Sequence, residues 1–107
     1  MHVGMSVIFQ NPDEQVPDQQ IYQQDVALAL QAEGLGFDSV WSVEHHFTSY
    51  TMCPDVLQFL TYMAGATKSI QLGSMVCVLP WHDPLRVAEQ ISLSLIHISE
   101  PTRPLYI

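Results

Sequence analysis

The chain has 107 residues, short of one average domain of ~150 residues, so it holds one folding unit and not two. With 48% apolar and 13% charged residues it is too apolar for a disordered tail. Three Lys and Arg against eleven Asp and Glu leave a net charge of −8, too few cations to neutralise a nucleic-acid backbone or to form a polybasic membrane patch.

No apolar run approaches the ~20 residues needed to span a bilayer. Residues 1–10 lack the basic start and small-residue cleavage site of a secretory signal. Only Cys53 and Cys77 are present, with no CxxC spacing, so the expectation is a soluble chain of the reducing cytoplasm.

Residues 3–9 form a short apolar run closed by the turn cluster Gln10-Asn11-Pro12-Asp13, which predicts a buried strand. Asp18 then has the position of an N-cap. From 19 to 33, Ile21, Leu28 and Ala32, flanked by Tyr22, Val26 and Ala29, recur at helical spacing, and Gly34 and Gly36 end the helix. Residues 37–43 are β-branched and aromatic and predict a second strand. After a loop, Pro54 suits the first turn of a helix, with Cys53 before it as a poor cap, and Val56, Leu57, Leu60, Met63 and Ala64 carry its periodicity. Residues 70–79 predict a third strand, closed by Pro80-Trp81-His82. Asp83-Pro84 then opens a third helix through Leu85, Val87, Ala88 and Ile91, with Asp83 as its cap.

The order is βαβαβα, with strand starts recurring at roughly 34 residues, the size of a βαβ unit. Such alternation implies parallel strands joined by right-handed crossovers. Continuous apolar strands imply a sheet that is covered on both faces or closed into a barrel. A doubly wound sheet and a (β/α)8 barrel both fit, and neither GxGxxG nor GxxxxGK[ST] is present to favour dinucleotide or P-loop binding. A full barrel needs roughly 250 residues, so three units read as an incomplete one.

In either architecture the loops after the strands open on one side. That brings together Phe9-Gln10-Asn11, Glu44-His45-His46-Phe47 and Leu79-Pro80-Trp81-His82. Glu44-His45-His46 is the most informative stretch. An imidazole can exchange protons near neutrality, and a neighbouring carboxylate can fix its tautomer. Adjacent residues on an extended segment point oppositely, so one of the two histidines faces the pocket. The same residues allow a metal reading, in which Glu44, His46 and His82 are the ligands of a hydrolase or oxygenase. The plainer alternatives are a histidine packed at the rim, Cys77 as a small core residue, Cys53 as a reactive thiol if exposed, and Trp41, Trp81 and the methionines as packing. The acidic residues read as a solvated outer surface.

The stretches "GFDSVWSVEHHFTSY" and "CPDVLQFLTYMAGATKSIQLGSMVCVLPWHDPLRVAEQIS" together resemble the N-terminal part of the bacterial luciferase-like flavin-dependent monooxygenases, over residues 3–92. The resemblance implies an α/β fold, the first three βα units of an incomplete (β/α)8 TIM barrel. It implies a monooxygenase that takes reduced FMN, or in some relatives a deazaflavin, with O2 and a small organic substrate. A separate flavin reductase often delivers the flavin, and the complete protein is expected to be a homo-oligomer. It assigns His45 an acid/base role with Glu44 as its orienter. It sets Met75 and Val76 beside the flavin ring, where family members sometimes carry a non-proline cis peptide. The phosphate site is expected on later strands, because Lys68, Arg86 and Arg103 are not clearly placed for it, so no tight FMN binding is expected of this chain alone.

The resemblance divides the chain into a partial barrel domain at 1–92 and a tail at 93–107. The tail reads "LSLIHISEPTRPLYI", where the family continues toward a fourth strand. It resembles a translated sequencing-adapter read-through, which would leave His97 and Arg103 without a role and Ile96, Ile98 and Ile107 without a partner strand.

Overall fold

The computed structural model describes residues 1–93 and the backbone of Leu105 and Tyr106. The observed order is β1 (Gly4–Val7), α1 (Asp18–Ala32), β2 (Ser39–Ser42), α2 (Val56–Ala66), β3 (Gln71–Ser74), a 3-10 turn (Leu79–Trp81), α3 (Pro84–Leu93) and β4 (Leu105–Tyr106). All strand pairs are parallel and adjacent in chain order, β1-β2-β3-β4. Strand alternation turns Met5, Val7, Val40 and Leu72 toward the helices. There they share one core with Ala29 and Ala32 of α1 and Val56, Leu60 and Met63 of α2. Consecutive strands with their helices on one face are the winding of a barrel; a doubly wound sheet would reverse its strand order. Among the described residues no helix is long and apolar enough to cross a membrane.

The face opposite the helices carries Ser39, Trp41 and Gly73. The Trp41 indole lies across the sheet, where a Cβ on Gly73 would come within 2.5 Å of its ring and one on Gly4 within 2.9 Å of its Nε1. Its Nε1 donates to Ser39 Oγ at 2.8 Å.

Helix ends correct parts of the sequence reading. Asp18 is the first residue of α1 and not its cap. The capping position is Pro17, and the Asp18 carboxylate accepts from Asn11 Nδ2 at 2.8 Å instead. Leu28, placed on the apolar face, is exposed, because that face rotates onto Ala29 and Ala32. α2 starts two residues after Pro54, because Asp55 accepts from Gln58 N at 2.9 Å and satisfies a free first-turn amide. Asp83 caps α3 as expected, accepting from Leu85 N and Arg86 N. Gly36 takes φ +86, a left-handed value that glycine meets without a Cβ clash.

The third strand is shorter than its apolar run. It leaves the sheet after Ser74, and the Met75–Val76 peptide is cis. Of the residues 93–107 set apart as a tail, Leu93 closes α3, and Leu105 and Tyr106 pair with Leu72 and Gly73. Ile96, His97, Ile98, Arg103 and Ile107 lie outside the described residues.

Glu33 joins two connections. Its carboxylate accepts from the backbone amides of Lys68, Ser69 and Ile70 and from the Ser69 hydroxyl, fixing the approach to β3. Burial pushes its carboxyl pKa up, but these donors outweigh it and hold the pKa at about 2.

Candidate active site

The ends of β2 and β3 are released at one level, since Met75 N donates to Ser42 O at 2.7 Å just past the ladder. The loop after β2 folds back, with His45 N donating to Cys53 O at 2.8 Å. It is tied to the end of β1 through Met52 N to Phe9 O and Asn11 N to Ser49 O, both at 3.0 Å. The three corners expected to share a rim do so.

At their meeting point lies Glu44, whose side chain is 0% exposed. Its Oε1 lies 3.0 Å from His46 Nε2 and 2.8 Å from His82 Nε2. An ionised carboxylate only accepts, so both imidazoles donate to it through Nε2. Glu44 Oε2 is buried without a hydrogen-bond partner. Cys77, buried just beyond β3, brings its Sγ into the same group, so that one ligand atom from each of Glu44, Cys77 and His82 lies within 4.8 Å of the others. Glu44, singled out in the sequence as a site residue, is thus the buried exception to a mainly solvent-facing acidic complement.

The expected pairing of Glu44 with His45 is not what the geometry shows. Successive side chains on an extended segment diverge, so the carboxylate reaches the imidazole two residues on. His45 is exposed, edge-on to Tyr50 with ring centroids 6.5 Å apart. With His46, Phe47 and Thr48 it lines a cleft of about 520 Å³.

Trp81 is not core packing; its ring stacks on His46 with centroids 4.3 Å apart and an interplanar angle of 14°. Met75, Val76 and Leu79, on the segment between β3 and the 3-10 turn that holds Trp81, are also exposed. Phe47 stands 96% exposed at φ +56, a left-handed conformation that costs a non-glycine residue free energy and is found most often at functional sites. A second cavity of about 500 Å³, between α1 and α2, is lined by Phe9, Tyr22, Val26, Met52 and Phe59.

Both cysteines are buried, and burial pushes both thiols up; at Cys77 the charges of Glu44 and Asp55 and a hydrogen bond to the Glu44 carboxylate add to the effect. Cys53 is therefore no exposed reactive thiol. Cys77 was missed as a site residue because an apolar neighbourhood reads as core, and no spacing distinguishes it from a packing cysteine. Arg86 pairs with Glu89 at 2.8 Å, and Lys68 precedes β3, at the sheet end opposite this rim.

Comparison with known proteins follows the same lines. The family model for luciferase-like monooxygenases matches residues 1–100. The alkanal monooxygenase alpha chain of Photorhabdus luminescens is 38% identical over 68 residues, 64% of this chain and 19% of that protein. The oxygenase component of the flavin-dependent trigonelline monooxygenase of Acinetobacter baylyi is 24% identical over 94 residues, 88% of this chain and 26% of that protein. A solved structure of the oxygenating constituent of 3,6-diketocamphane monooxygenase from Pseudomonas putida, a type II Baeyer-Villiger monooxygenase in complex with FMN, superposes with a TM-score of 0.82 at 24% identity. That match covers 98% of this chain and 28% of that one, and the shared architecture is the first part of a TIM barrel. The matches therefore span about a fifth to just over a quarter of the length of these relatives.

Proposed function

Since this chain belongs to the luciferase-like monooxygenase family, we propose that it forms one side of the active-site rim of a flavin-dependent monooxygenase. The observation that carries the reading is the run of exposed apolar residues Met75, Val76, Leu79 and Trp81 after β3, ending at a corner whose His82 shares a buried carboxylate with His46; such a run offers an apolar ledge. A flavin ring is flat and largely apolar, and such a ledge fits its face. Among the described residues no cation is free on this rim for the FMN phosphate, which fits a phosphate site on strands beyond this chain.

Reduced FMN, when bound, supplies the reaction with O2 that places one oxygen atom in a small organic substrate. Met75 and Val76 would bear on the ring, and the same ledge would take a deazaflavin. His45, exposed in the rim cleft, is the group that gives or takes a proton there. Glu44 touches neither His45's ring nor the cleft; it positions His46 and His82. Trp81, stacked on His46, helps exclude water from the ledge.

A flavin reductase as electron donor, a homo-oligomeric complete protein and a cytoplasmic setting belong to the same proposal, as does the division at residue 92. The nucleotide sequence downstream of codon 92 tests that division. The hydrolase reading of Glu44, His46 and His82 is set aside, because the family is one of flavin-dependent oxygenases.

The test uses the full-length protein that contains this chain, supplied with reduced FMN, O2 and a panel of aldehydes, ketones and sulfonates. Substrate-dependent oxygenation is expected, and His45→Ala should lower kcat by about 100-fold or more. Absence of oxygenated product across the panel would overturn the reading. Unchanged turnover in His45→Ala would remove His45 from it.

A further inference from the structure

We propose that Glu44, Cys77 and His82 form a binding site for a thiophilic divalent cation, with Zn2+ as its occupant. The three donors come from separate segments: the end of β2, the stretch after β3, and the corner following the 3-10 turn. Their ligand atoms already lie within 4.8 Å of one another. Ligands of a tetrahedral zinc, bound at ~2.0–2.3 Å, stand about 3.5 Å apart. Closing the group around an ion therefore needs side-chain adjustment of about an ångström, within the reach of rotamer changes.

A second observation points to a ligand independently. Glu44 has a fully buried side chain, yet its Oε2 has no hydrogen-bond partner. Buried polar atoms are paired in the great majority of cases, and a carboxylate oxygen left bare is an acceptor awaiting a donor or a cation. The flavin reading uses neither this oxygen nor the Cys77 sulfur, which packs in the core with its thiol hydrogen-bonded to the Glu44 carboxylate.

The donor set selects the metal. A thiolate beside an imidazole disfavours the hard ions Mg2+ and Ca2+, which take oxygen ligands, and suits zinc. Coordination forms zinc bonds to the Cys77 sulfur, a Glu44 oxygen and one His82 ring nitrogen; the Cys77 thiol proton goes to water, the single His82 ring proton sits on the other nitrogen in place of its hydrogen bond to Glu44, and no electrons are transferred. Three protein ligands leave a fourth position open, bordered by His46 on the other Glu44 oxygen. Occupancy would fasten the corner after β2 to the corner before α3. This role is separate from hydrolysis and does not depend on the flavin reading.

The experiment titrates the reduced, metal-free full-length protein that contains this chain with Co2+ as a spectroscopic stand-in, then with Zn2+. One equivalent of Co2+ is expected to give a thiolate-to-cobalt charge-transfer band, which Zn2+ displaces. Cys77→Ser should abolish the band and weaken Zn2+ binding by at least about 100-fold, while Cys53→Ser should retain both. A wild-type measurement guards against a variant that fails to fold: Zn2+ should slow alkylation of Cys77 and leave that of Cys53 unchanged. No band, a band that survives Cys77→Ser, or alkylation of Cys77 indifferent to Zn2+ would each overturn the proposal.

Discussion

His82 Nε2 lies 2.8 Å from Glu44 Oε1 although 38 residues separate the two in the chain. The contact joins two strand-end corners, and it depends on β2 and β3 running in register to the same level. Its partner on the same oxygen, His46, is local in sequence. The carboxylate thus links a short-range and a long-range contact at one buried atom.

Removing that atom should be costly. Glu44→Ala leaves both imidazoles without their acceptor, and a loss of about 3 kcal/mol is expected, from hydrogen bonds to a buried charged group. His82→Ala removes only one half-buried partner and should cost about 1 kcal/mol. Urea unfolding of the two variants and of the double variant measures both. A double variant no worse than Glu44→Ala alone would show that His82 acts wholly through the carboxylate.

The packing of Trp41 on Gly73 predicts an overpacking effect. A methyl at position 73 would meet the indole at 2.5 Å, so Gly73→Ala should destabilise by about 1–3 kcal/mol. Combined with Trp41→Leu, which makes room, the added cost of the methyl should fall by about 1 kcal/mol or more. Simple additivity of the two losses would contradict the close approach.

The helix caps separate two aspartates that look alike in sequence. Asp55→Ala removes a first-turn acceptor and should cost about 1 kcal/mol, with loss of α2 helicity by circular dichroism. Asp18→Ala should leave α1 largely intact and act instead on the loop held by Asn11.

Those two aspartates also mark what was legible beforehand. Order, parallel pairing and the shared rim followed from apolar runs alternating with helical periodicity, because burial imposes those patterns directly. The choice between Asp18 and Pro17 depended on where Asn11 folds back, which no local pattern carries. The Glu44–His82 contact was within reach of topology, whereas its exclusion of His45 turned on which way each side chain leaves the backbone. Cys77 was illegible because its run continues apolar through Val78 and Leu79, although the sheet stops at Ser74. Length of an apolar run reports burial, not hydrogen-bonded strand.

Glu33 sets an acid limit. Its folded-state pKa of about 2 lies below the unfolded value near 4.5, so its contribution is fully present above the unfolded value. It is lost as pH falls from there through about 2. Stability measured across that range should drop, and Glu33→Gln should flatten the dependence while lowering stability at neutral pH by about 1 kcal/mol, a figure that allows for solvent screening. A wild-type profile that stays level over this interval would exclude the role.

The indole of Trp41 spans three strands whose residues at 4, 41 and 73 lie far apart along the chain. Those positions are therefore expected to change together. A related barrel with a larger residue at either glycine position is expected to carry a smaller one in place of the tryptophan, the correlated change that this single side chain would impose.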